Sequence, residues 1–181
     1  MSSFFYRGQF DEYKVPDLKS AFECVENPVS QGSFPKKIKT TVFLSHKHDD
    51  LNDLKGVIGM LEKEFDVKVY IDSRDKKMPE VTSGQTADRI KNRIKECDKF
   101  ILLATNAAIE SNWCNWELGY GDAQKNEYNN LALFPMEDVP KSSSYKGNEY
   151  LEIYPHIISK DNQYYVKFQE EITPLSEWFS R

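Results

Sequence analysis

The sequence is poor in cysteine, in clustered basic residues and in long apolar runs. Its cysteines, Cys24, Cys97 and Cys114, are three in number and include no CxxC pair, so we expect neither a disulfide framework nor a zinc site. The net charge is -5, with Lys and Arg spread along the chain, which argues against nucleic-acid binding. No run approaches the roughly 18 apolar residues of a membrane helix, and the start, MSSFFYRGQFDEYK, is no secretory signal. We expect a cytoplasmic protein that binds no membrane.

Glycine-rich phosphate loops are also missing. No GxxxxGK[ST] occurs, and the GxG at residues 119 to 121 lacks a third glycine and falls inside a predicted helix. The Rossmann fingerprint lies between the first strand and its helix, where this sequence has SHKHDD. A dinucleotide, if one is bound, is therefore held in some other way.

From residue 38 onward, apolar runs of strand length alternate with patterns of helical period. Strands are predicted at 38–45, 67–72, 99–105, 130–135 and 150–157, and helices at 51–65, 86–97, 111–124 and 174–179. This alternation predicts an α/β fold with three layers, in which helices cover both faces of a parallel five-stranded sheet. Ligands bind such sheets at the carboxyl ends of the strands. Ser45, His46, Asp72 and the loop before Trp113 fall at such ends.

We divide the chain into three parts. Residues 1–37 are predicted to be an N-terminal extension, with a short helical pattern after Pro16 and then a linker-like stretch; it either packs on the domain or mediates self-association. Residues 38–160 are the predicted domain. Residues 161–181 are predicted to be a C-terminal segment that packs on the domain and ends in a helix.

The stretch SNWCNWELGYG, which begins at Ser111, contains the main candidate site. With Ser111 as the helix N-cap, Trp113 and Glu117 lie at i and i+4 and share one face. Gly119 and Gly121 each cost about 1 kcal/mol in a helix interior, which suggests that a neighbouring element or a ligand approaches closely. Spacing by itself is equally compatible with aromatic packing beside a solvated glutamate. The residues predicted to point into the core are Cys114, Trp116 and Leu118.

Other combinations of reactive residues are less well supported. His46 and His48 alternate in extended chain and would face opposite sides, which disfavours a metal site. Ser45 with His46 lacks a nucleophile elbow and a third triad member. Asp49 and Asp50 with Thr105 are similar to the acidic set of a phosphoacceptor receiver, but the acids stand in the helix cap and Thr105 replaces the needed aspartate.

Three motifs, VFLSHKHDD, VYIDSRD and SNWCNWEL, resemble a bacterial Toll/interleukin-1 receptor (TIR) domain. The resemblance covers residues 38–135 and extends more weakly to 157. It implies a flavodoxin-like fold and, in many members, cleavage of NAD+ between nicotinamide and ribose, with Glu117 as the catalytic residue and Trp113 beside it. The size is similar to that of the standalone TIR component of Thoeris-type antiphage defence, in which a nucleotide product activates a separate effector. The loop after the second strand is longer and more polar than in many members.

This resemblance also implies a mechanism with one carboxylate. Nicotinamide leaves NAD+ as a neutral ring, so no general acid is needed, and Glu117 would stabilise the positive charge that develops on the ribose. Trp113 would form a wall of the pocket, Ser45 and His46 its floor, and Asp72 and Arg74 would reach the ribose or diphosphate. NAD+ is here a substrate, with no cofactor. The alternatives are a TIR scaffold that assembles through the loop at 73–85, and a relative of the nucleoside deoxyribosyltransferases.

Overall fold

The computed structural model describes residues 3–16, 18, 39–71, 84–125, 129–140 and 149–181, without the side chain of Tyr150. The strands are β1 (Phe5–Tyr6), β2 (Thr41–Ser45), β3 (Lys68–Tyr70), β4 (Lys99–Ala104), β5 (Leu131–Glu137), β6 (His156–Lys160), β7 (Gln163–Phe168) and β8 (Glu171–Pro174). The α-helices are α1 (Leu51–Phe65), α2 (Gly84–Glu96), α3 (Asn106–Ile109), α4 (Asn112–Lys125) and α5 (Leu175–Ser180).

Five parallel strands form the centre of the sheet that these described residues build, in the order β3-β2-β4-β5-β6. Counted from β2, this order is 2-1-3-4-5, the flavodoxin-like order, and it confirms the predicted fold class. The strands β7 and β8 extend the sheet in antiparallel pairing. They were not expected, although Asp161 and Asn162, both with positive φ, form the two-residue turn that typically joins two strands into a hairpin.

The two faces of the sheet support separate apolar clusters because neighbouring side chains on a strand alternate between faces. One cluster packs α1 and α5 against side chains such as Leu44 and Phe134. The other packs α2, α3 and α4 against side chains such as Phe43 and Leu133. Ser45 follows Phe43 by two positions, so its side chain lies on the face that α4 covers.

The N-terminal residues are part of this architecture. The strand β1 pairs in parallel with the end of β5, and Ser3 bridges to Ser159 of β6. Phe5 is fully buried and stacks on Phe134, with ring centroids 4.2 Å apart. Residues 3–16 therefore pack on the domain, while most of the predicted helix and linker between Pro16 and residue 38 lies outside the described residues. The three domain boundaries stay predictions.

Two glycines of α1 allow the chain that follows β1 to pack closely against this helix. A Cβ atom at Gly56 would lie 2.6 Å from the carbonyl oxygen of Phe10, and one at Gly59 would lie 1.9 Å from that of Tyr13. Both distances are far below van der Waals contact, so no larger side chain fits there. The glycines therefore form a groove on α1 in which the short 3-10 helix Asp11–Tyr13 rests.

One predicted element is wrong. The fifth strand was expected at 150–157, but residues 149–153 form a 3-10 helix and β6 begins at His156. Leu151 and Tyr154 are both buried, and their spacing of three is helical. Elsewhere the predicted helix at 51–65 matches α1, and the helix predicted at 174–179 corresponds to α5, which begins one residue later at Leu175 and ends at Ser180. Every helix in the described part of the chain is too short or too polar to span a lipid bilayer.

Candidate functional site

The site centres on a contact between Ser45 and Glu117. Ser45 ends β2, Glu117 lies on α4, and the two side chains are 1% and 2% exposed. The Ser45 hydroxyl donates a hydrogen bond to Oε2 of Glu117 across 72 positions of sequence. A buried carboxylate is costly unless hydrogen bonds stabilise it, so the hydroxyl helps to hold this charge at the carboxyl end of the sheet.

Local sequence fixes the start of α4 and so the place of Glu117. The Ser111 hydroxyl accepts a hydrogen bond from the backbone N–H of Cys114 at 3.4 Å, which confirms Ser111 as the N-cap. Cys114 and Leu118 are buried in the core as predicted. Burial raises the pKa of the Cys114 thiol, against a lowering effect of the Ser111 hydrogen bond, so this thiol beside Glu117 is a poor nucleophile.

Aromatic rings flank Glu117 on the outer side of α4. The rings of Trp113 and Trp116 have centroids 4.9 Å apart, and those of Trp116 and Tyr120 are stacked at 6.3 Å. Trp116 was predicted to lie in the core, but it is half-buried and belongs to this row of rings. The reason is that residues three and four apart share a helix face, and the stacking continues to Tyr120. Trp113 lies one turn before Glu117, as predicted.

The two glycines of α4 differ in their surroundings. A Cβ atom at Gly121 would lie 2.8 Å from the Phe100 ring of β4, so a neighbouring strand explains this glycine. At Gly119 nothing lies within 4 Å of such an atom. The expected close approach is thus confirmed at Gly121, where the partner is the sheet; at Gly119 no described part of the chain approaches, and the approach of a ligand there stays a prediction.

A second polar cluster at this edge joins Asp50 and Thr105 to residues that the sequence did not single out. Arg7 Nη2 donates to Asp50 at 2.8 Å, and Nη1 donates to Asp53 at 2.7 Å. The Thr105 hydroxyl donates to the other oxygen of Asp50 at 2.6 Å, and Arg7 Nε donates to Asp138 at 3.1 Å. Asp50 stands at the N-cap position of α1, in line with the sequence, but its side chain makes no cap bond because these partners bind its carboxylate instead.

This cluster also bears on the receiver-like alternative. Asp50 and Thr105 do meet, but the Arg7 guanidinium binds the carboxylate that a phosphoacceptor site would need for its metal. No pattern in the sequence links Arg7 to Asp50, which lies 43 positions away. Within the described ranges, no three His, Cys, Asp or Glu side chains are grouped as metal ligands.

The remaining predicted site residues are only partly described. His46 directly follows β2, and its Nδ1 lies 3.4 Å from the carbonyl oxygen of Leu44. Asp72 and Arg74 lie outside the described residues, and so does most of the loop at 73–85. The structure thus brings Ser45, Glu117 and, one helical turn away, Trp113 to one edge of the sheet. The roles of these residues stay predictions.

Comparison with known proteins matches the chain to one family. A model of the family described as TIR domain matches residues 42–165, a range that includes Ser45 and Glu117. A protein of Bacillus cereus (strain MSX-D12) named "Probable 3' cyclic ADP-D-ribose synthase ThsB'" is 30% identical over 118 residues, which are 64% of this chain and 59% of that protein.

A second relative comes from Cytobacillus dafuensis and is named "Putative cyclic ADP-D-ribose synthase TIR2". It is 29% identical over 82 residues, which are 44% of this chain and 21% of the relative. The chain therefore spans less than two thirds of the length of either relative.

Proposed function

The chain belongs to the TIR domain family, and on this premise we propose that it is an enzyme that cleaves NAD+ between nicotinamide and ribose and makes a cyclic ADP-ribose. The observation that carries the proposal is the buried Ser45–Glu117 pair at the carboxyl end of β2. The names of the two relatives, both cyclic ADP-D-ribose synthases, support the reaction class.

The chemistry requires a fixed negative charge more than it requires an acid. When the bond between the ribose carbon and the nicotinamide nitrogen breaks, its electron pair goes to the ring, which leaves neutral. The ribose becomes positively charged, and the carboxylate of Glu117 stabilises this charge. An electrostatic contribution of this type is typically about 3 kcal/mol. The Ser45 hydroxyl orients the carboxylate before the substrate binds.

Cyclisation requires only a different nucleophile. If a hydroxyl of the second ribose attacks the ribose carbon instead of water, a C–O bond forms and the hydroxyl proton passes to Glu117 or to solvent. Hydrolysis and cyclisation thus share one bond-breaking step, and exclusion of water decides between them. Trp113, half-buried beside Glu117, forms the wall that excludes water. His46, Asp72 and Arg74 hold the remainder of the substrate.

The proposed partners follow from the same reaction. NAD+ is the substrate, the TIR subunits self-associate, and the nucleotide product reaches a separate effector in antiphage defence. We place this reaction in the cytoplasm, in line with three cysteines that lack a disulfide pattern.

The test is release of nicotinamide from NAD+ by the purified protein, with mass spectrometry of the product. We expect Glu117→Gln to lower turnover by roughly 100-fold or more, because the amide keeps an acceptor for Ser45 but loses the charge. Glu110→Gln, which changes an exposed glutamate beside α3, is the matched control and should retain activity.

Two results would contradict the proposal. One is undiminished nicotinamide release by Glu117→Gln. The other is no release by the unmodified protein at any concentration, including conditions that drive self-association; that result would favour the TIR scaffold.

A further inference from the structure

A cavity lies away from the Ser45–Glu117 pair. It has a volume of about 620 Å³ and opens between β1, β6 and β7. The described residues that line it include Phe4, Tyr6, Glu137, Tyr154, His156 and Lys167, and they include neither Ser45 nor Glu117. Phe4 and Tyr6 face the cavity, whereas Phe5 between them is buried on the other face. The N-terminal strand thus builds one wall.

The cavity shares an edge and a face of the sheet with the candidate site. Glu137 ends β5, so the cavity lies at the carboxyl end of a parallel strand, where ligands of this fold class bind. Glu137 follows Leu133 by four positions on β5, so the two side chains lie on the same face of the sheet. Leu133 packs in the cluster with α4. The strands β4 and β5 separate β2 from β1, and at about 4.8 Å per strand the lateral distance is roughly 14 Å. The two sites are neighbours without overlapping.

Flat rings form one part of the walls. The rings of Phe4 and His156 are stacked at 5.9 Å with an interplanar angle of 21°, and Tyr154 is buried beside them. Burial lowers the pKa of His156, partly offset by a hydrogen bond with the backbone of Tyr154, so the imidazole is neutral at pH 7. Neutral, nearly parallel rings offer a surface on which another planar ring can stack.

The charged groups of the lining restrict the ligand further. Glu137 and Glu152 supply carboxylates, and Lys167 supplies a positive charge, so acceptors exceed cations. This balance favours a ring that carries amino donors and disfavours a phosphate. The volume lies within the range of about 300–1,000 Å³ of ligand pockets and suits a two-ring base with its sugar better than a single pyridine ring.

We propose that this cavity binds an adenine-type base or its nucleoside, stacked against the wall of Phe4 and His156, with its amino group donating to a carboxylate of the lining. The site is additional to the proposed reaction at Glu117. Its ligand is either a free nucleoside or the adenosine end of a dinucleotide, which share this chemistry.

Calorimetric titration of adenosine into the full chain carrying Glu117→Gln tests the site without turnover, so the outcome does not depend on the proposed activity. We expect this chain to bind adenosine saturably. Binding should be at least tenfold weaker when Phe4→Ala is added, and also when Lys167→Trp is added, because the tryptophan side chain fills the cavity. Lys160→Trp makes the same exchange at an exposed position outside the lining and should bind as before. If NAD+ also binds more weakly to Lys167→Trp, the ligand is the end of a dinucleotide; unchanged NAD+ binding identifies a free nucleoside.

Three results would overturn the proposal. The protein could show no saturable adenosine binding, or both cavity variants could bind adenosine as well as the parent does. Nicotinamide could also bind more tightly than adenosine, which would contradict the ring class. Because Lys167 is exposed, its variant provides a test even if Phe4→Ala fails to fold.

Discussion

The two edges of the sheet bury charges of opposite sign. At the carboxyl edge, Asp50 and Glu117 are 1% and 2% exposed. At the amino edge, Lys99 and Lys125 are 1% and 9% exposed. Fully buried charged groups are rare and need partners. The comparison shows that burial of a charge does not by itself mark a functional site; the partners and the edge on which the charge lies distinguish one role from the other.

The lysines of the amino edge join structural elements. Lys125 Nζ donates to the backbone carbonyls of Lys95 and Cys97 at 3.0 and 2.5 Å, near the end of α2, where a helix dipole favours a cation. Lys99 Nζ donates to Asn130 at 2.5 Å and lies 4.7 Å from the centre of the Trp178 ring. Burial lowers the pKa of both lysines, that of Lys99 to about 8. Backbone and ring partners of this kind are fixed by the fold.

The acids of the carboxyl edge divide into two kinds. Asp50 is bound by Arg7 and Thr105, and this ionic contact holds the N-terminal segment against α1. Glu117 accepts from Ser45 and lies beside a row of half-buried aromatic rings. We therefore propose a structural role for Asp50 and a catalytic role for Glu117, and variants at both edges test this proposal.

Apart from changes at Glu117 itself, the largest effect is expected for Ser45→Ala. This change removes the hydroxyl that donates to Glu117, and hydrogen bonds to charged groups contribute about 1.5–3 kcal/mol. We expect the turnover number for NAD+ per folded molecule to fall roughly 10- to 100-fold. Urea unfolding should show a loss of about 1–3 kcal/mol, because a buried acceptor loses its donor. An unchanged turnover number would show that the hydroxyl does not orient the carboxylate.

Arg7→Met is expected to act on stability. It leaves Asp50 buried without its guanidinium partner, and because Arg7 is itself one third exposed, we expect a loss of about 2 kcal/mol, below the usual range for a fully buried pair. Urea unfolding measures it. The control Arg181→Met breaks an exposed pair with Glu177 and should change stability by less than about 0.5 kcal/mol. Equal effects of the two variants would argue against a structural role for the Asp50 cluster.

The variant Lys125→Met tests whether a change at the amino edge affects stability without affecting activity. The change leaves the carbonyls of Lys95 and Cys97 without this donor, so we expect a loss of about 1 kcal/mol or somewhat more. Activity per folded molecule should stay the same, since Lys125 lies at the opposite edge from Glu117. If the fully folded Lys125→Met variant lost much of its turnover, the functional distinction between the two edges would be contradicted.

Lys99→Met should alter how stability depends on pH. Because the folded pKa of Lys99, about 8, lies below its ordinary value of 10.5, the unfolded chain binds more protons and stability rises with pH. Relative to Lys99→Met, the parent should gain about 1 kcal/mol between pH 8 and pH 9. Denaturant unfolding of both proteins at each pH measures this difference in the free energy of unfolding. Groups that both proteins contain, such as Cys97, contribute equally to the two and cancel in the difference. A difference that stays constant over this range would contradict the lowered pKa.

Sequence by itself determined the features that depend on local pattern. Alternating apolar runs predicted four of the five parallel strands. Helical spacing predicted α1 to the residue, and Ser111 predicted the start of α4 and hence the turn that carries Trp113 and Glu117. These features follow from periodicity and capping, which act over a few residues. The motifs around them also indicated the TIR family.

Tertiary structure decided whatever depends on contacts between distant residues. The strand β1 is two residues long, too short for any pattern, and only its pairing with the end of β5 defines it as a strand. The Arg7–Asp50 and Ser45–Glu117 contacts span 43 and 72 positions. Because a carboxylate can be buried only where such partners converge, the distinction between the structural acid and the candidate catalytic acid became visible only in the folded chain.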